Sequence, residues 1–278
     1  MDYVKSMKRL LKRVYYYGHT GYCPNCGSSL RKWIACGTDS CVAREKQIVG
    51  AGRREKGCPV CLSAERDRLV YLYVRDYLHL FESKTKINIL HIAPEAHLYP
   101  VFRRNIPHEH YICGDKFEEG YTYGRHVQPM DITSIEWASD FFHLIICNHV
   151  LEHVPDDRQA MRELYRVLKP GGKAILQVPI SLVLSETFED FSITSPAERE
   201  RVFGQHNHCR IYGQDYGKRL EEAGFTFRPV TLSDPRYRKY GLDMRERVLL
   251  AEKHLKRHLP STTACKAELS SPQVIDLR

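Results

Sequence analysis

The sequence predicts an α/β protein in two parts: a small cysteine-rich module, then a doubly wound, mostly parallel sheet. Three observations carry this reading. From residue 69 onward, short apolar runs alternate with stretches of helical period. Six of the 10 cysteines (Cys23, Cys26, Cys36, Cys41, Cys58 and Cys61) fall within the first 70 residues. The charge divides at the same place, with 14 Lys+Arg against 6 Asp+Glu in residues 1–70 and a balanced remainder. The net charge of +8 therefore belongs to the N-terminal part. The expected boundaries are 1–68 for the module, 69–256 for the sheet domain and 257–278 for a polar tail. A length of 278 residues with 42% hydrophobic residues supports a sizeable core and excludes a wholly disordered chain. No run approaches ~18 apolar residues, so no membrane-spanning helix is expected. The N-terminus lacks the apolar run and cleavage site of a secretory signal, which points to a cytoplasmic protein.

In chain order, the first 17 residues place Tyr3, Val4, Met7, Leu10, Leu11 and Val14 at helical spacing. Lys5, Lys8, Arg9, Lys12 and Arg13 cover much of the other face. Such a helix suits an anionic membrane surface or RNA phosphates, or else packs its apolar stripe on the protein's own body. Next come Cys23-Pro-Asn-Cys26 and Cys58-Pro-Val-Cys61. Each CPxC knuckle turns two thiolates toward one point, and two knuckles complete a tetrahedral S4 site for structural Zn2+. Cys36 and Cys41 form a looser pair that substitutes for one knuckle, holds a second ion with His19, or remains as free thiols. Neither CPxC follows a strand in a βαβ pattern, which argues against a redox role.

The body opens with a helix over 69–78, followed by strands over 87–92, 111–113, 144–147 and 174–178. Between the last two, 155–168 has a helix period through Met161, Leu164, Val167 and Leu168, and stops at Lys169-Pro170-Gly171-Gly172. A helix over 214–224 precedes two antiparallel end strands, 225–230 and 247–252. Glu186–Asp190 reads as a loop, and Ser195-Pro196 as the capped start of a helix over the site. A ligand should bind at the carboxyl ends of the strands, near the switch point.

Two segments then carry a resemblance. Residues 142–154 (FHLIICNHVLEHV) and 164–172 (LYRVLKPGG) are similar to the fourth strand and the helix–LKPGG–strand segment of class I S-adenosylmethionine-dependent methyltransferases of the type 11 kind, a Rossmann-like fold. A CPxC module ahead of such a domain resembles a bacterial and archaeal subgroup of these enzymes. The resemblance implies S-adenosyl-L-methionine as cofactor. It places Asp115 on the ribose hydroxyls, Asp131 on the adenine amino group, the Ile132 N–H at adenine N1, and Asn148 at the methionine end. The family's first loop is usually glycine-rich, whereas here it reads Leu90-His91-Ile92-Ala93-Pro94-Glu95. In this stretch His91 and Ala93 face the cofactor, Ala93 still permits close approach, and Glu95 pairs with the methionine ammonium. Pro94 removes a backbone donor.

Methyl transfer is a displacement at a sulfonium carbon, so the enzyme mainly orients the acceptor and excludes water. An oxygen or nitrogen acceptor also needs a base, for which histidine is suited near neutral pH. His149 is the expected base, with His208, Arg210 and Tyr212 shaping the acceptor site. The run His149-x-x-Glu152-His153 with a later His also resembles the metal-ligand set of small-RNA 3′-terminal 2′-O-methyltransferases, with His149 standing where that set has Glu. A small molecule or glycan is the leading acceptor. RNA gripped by the basic module is the first alternative, and a non-catalytic adaptor with a degenerate cofactor fold the second.

Overall fold

The computed structural model describes residues 2–82, 86–118 and 121–255, so the expected tail at 257–278 lies outside the described residues. Its centre is a seven-stranded sheet made of β1 (Ile89–Ile92), β2 (Tyr111–Asp115), β3 (Val127–Pro129), β4 (Phe142–Cys147), β5 (Leu168–Ile175), β6 (Thr226–Phe227) and β7 (Leu250–Glu252). The spatial order is β6-β7-β5-β4-β1-β2-β3. The five strands β1–β5 run parallel, and β7 lies antiparallel to both β5 and β6. The order reverses between β1 and β4, which puts the crevice for a ligand at their carboxyl ends.

The strand sequences dictate this arrangement. A parallel sheet covered on both faces needs near-continuous apolar strands, and β1 (Ile-Leu-His-Ile) is buried throughout. Alternate side chains enter opposite layers. Leu90, Ile92, Ile145 and Cys147 join one core, whereas Ile89, Leu144 and Ile146 join the other. The helices are α1 (Asp2–Tyr15), α2 (Cys41–Glu45), α3 (Glu65–Asp76), α4 (Tyr99–Asn105), α5 (Asp157–Val167), α6 (Pro196–Phe203) and α7 (Tyr216–Glu222). The first core is covered by Met161 and Leu164 of α5 with Tyr216 and Leu220 of α7; the second by Leu69, Leu72 and Tyr73 of α3 with Phe102 of α4. Each such Leu contributes roughly 2 kcal/mol on burial. Helix α5 starts where the Asp156 carboxylate accepts from the Gln159 N–H at 2.9 Å. The Lys-Pro-Gly-Gly stretch that follows it is a register shift inside β5, not only a turn before it.

The module is stitched into the body. Its antiparallel pairs join Gly21–Cys23 with Ser28–Leu30 and Ile34–Cys36 with Arg54–Gly57. Its Ile48–Val49 strand pairs with Ile180–Ser181, just past β5. Helix α3 begins at Glu65 and runs through residue 68. Arg68 is fully buried there, donating to the carbonyls of Ser63 (2.9 Å), Lys56 (2.5 Å), Tyr240 (2.7 Å) and Gly241 (3.0 Å) and stacking on Trp33. Helix α1 leaves much of its apolar stripe open, with Leu10, Leu11 and Val14 56%, 61% and 72% exposed. Among the described residues, no helix is long and apolar enough to cross a membrane.

Candidate active site

The carboxyl ends of β1 and β4 bring three of the expected cofactor residues into one hydrogen-bonded chain. His91 is fully buried on β1, its Nδ1 2.7 Å from the Tyr111 hydroxyl and its Nε2 2.8 Å from Glu95 Oε2. The other carboxylate oxygen, Glu95 Oε1, accepts from Asn148 Nδ2 at 2.8 Å. Burial alone would raise the Glu95 carboxyl. The His91 and Asn148 hydrogen bonds outweigh it and hold Glu95 below the usual carboxylate range. Asn148 Oδ1 is buried with no partner among the described residues, a polar atom left for a ligand. Ala93 takes φ +47 and donates its N–H to the Gly114 carbonyl at 2.8 Å. The left-handed turn that a glycine would make in this loop is therefore present, made by alanine.

The other two expected acids occupy neighbouring strand ends. Asp115 closes β2, half-buried, and burial raises its carboxyl. Before it, a Cβ on Gly114 would lie 2.7 Å from the Met130 sulfur, so glycine is required where the chain returns from β3. Asp131 follows β3, its Oδ1 accepting from the Thr133 N–H (2.8 Å) and hydroxyl (2.7 Å), which keep it ionised. Asp131, Met130 and Trp137 line a cavity of about 550 Å³, and Ile132 is buried beside it.

A second cavity, about 360 Å³, runs from Glu95 to Glu152 and His208. Its facing wall is the module, through Cys36, Gly52, Arg54 and Arg66. Glu152 is buried with Oε2 unpartnered among the described residues, and burial pushes its carboxyl up to about 8. His153 and His208 meet edge to face, ring centres 4.7 Å apart. Burial lowers both imidazoles, His208 to about 3, so each is neutral at pH 7. His149 does not line this cavity. Its ring lies beneath Gly50, with Nδ1 3.5 Å from Glu152 Oε1, and burial holds it well below the ordinary histidine value. Its backbone is left-handed (φ +55), tied by an N–H to the Gln177 carbonyl at 2.7 Å.

The structure departs from the acceptor-shaping expectation at two residues. Tyr212 is fully buried, away from the cavity, and donates its hydroxyl to Asp157 at 2.7 Å. Arg210 borders the cavity, but its guanidinium is spent on Glu189 (2.9 Å) and the carbonyls of Leu151, Val154 and Pro155. It clamps the turn that carries Glu152 and His153. The 186–190 loop contains two residues, Phe188 and Glu189, paired with Ile211 and Arg210. Sequence reasoning missed Arg54 and Arg66 as cavity residues, because nothing in a basic module says which arginines fold inward.

The four knuckle cysteines converge. Zinc with Zn–S near 2.3 Å requires tetrahedral sulfurs about 3.8 Å apart. Cys23 and Cys61 Sγ are 3.7 Å apart, and Cys26 and Cys58 Sγ 3.8 Å. All four lie within 4.8 Å of one another, and Ser28 and Ser63 hydroxyls lie 3.2 Å from Cys26 and Cys61. The donor set thus fits zinc. Cys36 is outside it, against Glu65, and Cys41 is exposed. No grouping with His19 forms among the described residues.

A sheet in this order, with acids following β2 and β3 and a polar chain at its switch point, defines the Rossmann-like methyltransferase fold. Residues 89–176 match the family model described as a methyltransferase domain. Arsenite methyltransferase of Aquipseudomonas alcaligenes is 28% identical over 117 residues, which are 40% of this chain and 32% of that protein. The chain thus spans about a third of the length of this curated relative. Among solved structures, an S-adenosylmethionine-dependent methyltransferase from Archaeoglobus fulgidus is 17% identical, with 59% of this chain and 72% of that one covered at a TM-score of 0.40. The 1,6-didemethyltoxoflavin-N1-methyltransferase of Burkholderia thailandensis, solved with its substrate and S-adenosylhomocysteine, is 15% identical, with 68% and 78% covered at 0.43. Both scores are below 0.5, so the class rests on the strand order and the match over 89–176.

Proposed function

We propose that this chain is an S-adenosylmethionine-dependent methyltransferase acting on an oxygen or nitrogen of a small molecule or glycan, with zinc held structurally by Cys23, Cys26, Cys58 and Cys61. The observation that carries this reading is the His91–Glu95–Asn148 chain at the switch point, opening directly into the cavity that ends at Glu152 and His208. S-adenosylmethionine, when bound, supplies a methyl carbon whose bond to the sulfonium sulfur breaks as the acceptor's lone pair forms the new bond, leaving S-adenosylhomocysteine. The chain's own residues bind and orient. Glu95 and Asn148 receive the amino-acid end, Asp115 the ribose hydroxyls, and Asp131 with the Ile132 N–H the adenine. Glu152 and His208 position the acceptor, and the module closes the cavity against water. The acceptor's proton passes to the Glu152–His149 pair, whose two groups lie 3.5 Å apart.

Titration calorimetry with S-adenosylhomocysteine tests the reading. Wild type should bind, and Asp131→Ala should bind several-fold more weakly. Absence of heat from wild type at millimolar ligand would instead leave a non-catalytic adaptor. Helix α1 favours a second reading, an RNA acceptor, because its open face lies beside Arg9 and Arg13. RNA affinity that falls steeply between low and physiological salt would support it.

A further inference from the structure

We infer that Glu152, His153 and His208 form a second metal site, one that takes a divalent first-row transition ion at the inner end of the acceptor cavity. One ligand atom from each of the three lies within 4.8 Å of the others, with Glu152 and His208 buried. Two imidazoles and one carboxylate are a donor set that holds zinc or ferrous iron with coordination positions left open.

Three further observations point to an ion. First, Glu152 Oε2 is enclosed without a partner among the described residues although Arg54, Arg66 and Arg210 are nearby. Those arginines are directed elsewhere: Arg54 to Glu65, Arg66 to the Gly50 carbonyl, and Arg210 to Glu189 and the turn carbonyls. Second, His153 has one ring nitrogen on a backbone carbonyl, its Nδ1 3.3 Å from the Asn207 oxygen. A metal-bound histidine is oriented in this way, since the carbonyl fixes the tautomer and leaves the other nitrogen to ligate. Third, the ligand-bearing turn is rigid. Arg210 grips the carbonyls of Leu151, Val154 and Pro155, and the Cys209 N–H holds the Glu152 carbonyl at 3.0 Å.

His149 lies outside this donor set, beneath Gly50. Glu152 and His208 line the cavity, whereas none of the four knuckle cysteines does. The acceptor role rests on the methyltransferase reading, while metal binding does not. An acceptor hydroxyl on an open position would lose its proton more readily, and its oxygen would then take the methyl group.

The test is titration of the zinc-loaded full chain with Co2+, read by visible absorption. The ion at this site should give weak bands without the intense thiolate-to-cobalt charge transfer that marks exchange into the cysteine site. About one equivalent should bind. Glu152→Gln and His208→Gln should each weaken it at least tenfold, and His206→Ala, altering an exposed histidine in the same loop, should leave it unchanged. S-adenosylhomocysteine calorimetry on the same samples reports folding and cofactor binding separately. The inference is overturned by wild type that binds S-adenosylhomocysteine but no cobalt, by cobalt appearing only as the thiolate species, or by affinity unchanged in both ligand variants. Manganese titration of wild type, followed by electron paramagnetic resonance, decides the matter if the variants fail to fold, because this ion has little affinity for thiolates. Its failure to bind would count against the site.

Discussion

Ala93 shows how a single residue can satisfy a backbone requirement without the residue usually chosen for it. Its φ of +47 costs an L-residue about 1 kcal/mol, a strain that a single methyl tolerates and a β-branched side chain does not. Ala93→Gly should be neutral or stabilising, and Ala93→Val should lose more than about 1 kcal/mol, as measured by urea unfolding. Equal stabilities for the three would mean the loop relaxes. Glu246 poses the opposite problem, a buried carboxyl with Oε2 unpartnered among the described residues. Burial first, and the Glu65 charge second, push it up to about 8. The unfolded chain releases this proton near pH 4. Between there and pH 8 the folded state holds a proton that the unfolded state has lost, so stability falls as pH rises through that window. Thermal melts at pH 5 and pH 8 should therefore differ more for wild type than for Glu246→Gln, with the variant the more stable at pH 8. Identical pH slopes would contradict the assignment.

Among the elements, the two knuckles make the sharpest commitment, because neither can close the sulfur tetrahedron without the other. The double variant Cys58→Ser/Cys61→Ser should lose its zinc, as measured by elemental analysis; metal retained at wild-type stoichiometry would refute the site. The knuckles, four of the five parallel strands, α5 and the antiparallel end pair were legible in the sequence because each repeats a local signal: a CPxC spacing, an apolar run or a helix period. Strand β3 was not, since Val-Gln-Pro at a sheet edge has neither an apolar run nor a ladder to complete on its outer side. The pairing of Ile48–Val49 with Ile180–Ser181 was equally hidden, as two residues carry no periodicity. Glu95 and Asn148 could be picked out by position. That Arg210 supports a turn while Tyr212 anchors to Asp157 depends on which way a loop folds, and a chain of polar residues does not encode that locally.

At the scale of the whole molecule, the junction between module and sheet is held by Arg68, whose guanidinium serves four backbone carbonyls from both parts. Hydrogen bonds from charged donors contribute about 1.5–3 kcal/mol each, and buried carbonyls left unmet add a penalty. Arg68→Met should destabilise the protein by about 3 kcal/mol or more and expose the segment before α3 to limited proteolysis; wild-type resistance to the protease would show the junction rests on other contacts. The shared cavity has a further consequence. On the proposed reading, the surfaces that would hold the methyl donor come entirely from the sheet domain, while the opposite face of the cavity offered to an acceptor comes from residues 36–67. Selectivity under that reading can be rewritten on one stretch of chain while the donor pocket is left untouched. Exchanging that stretch between related chains would graft a new substrate preference onto an unchanged engine, so long as the incoming segment brings its own four thiols and an arginine to lock it down.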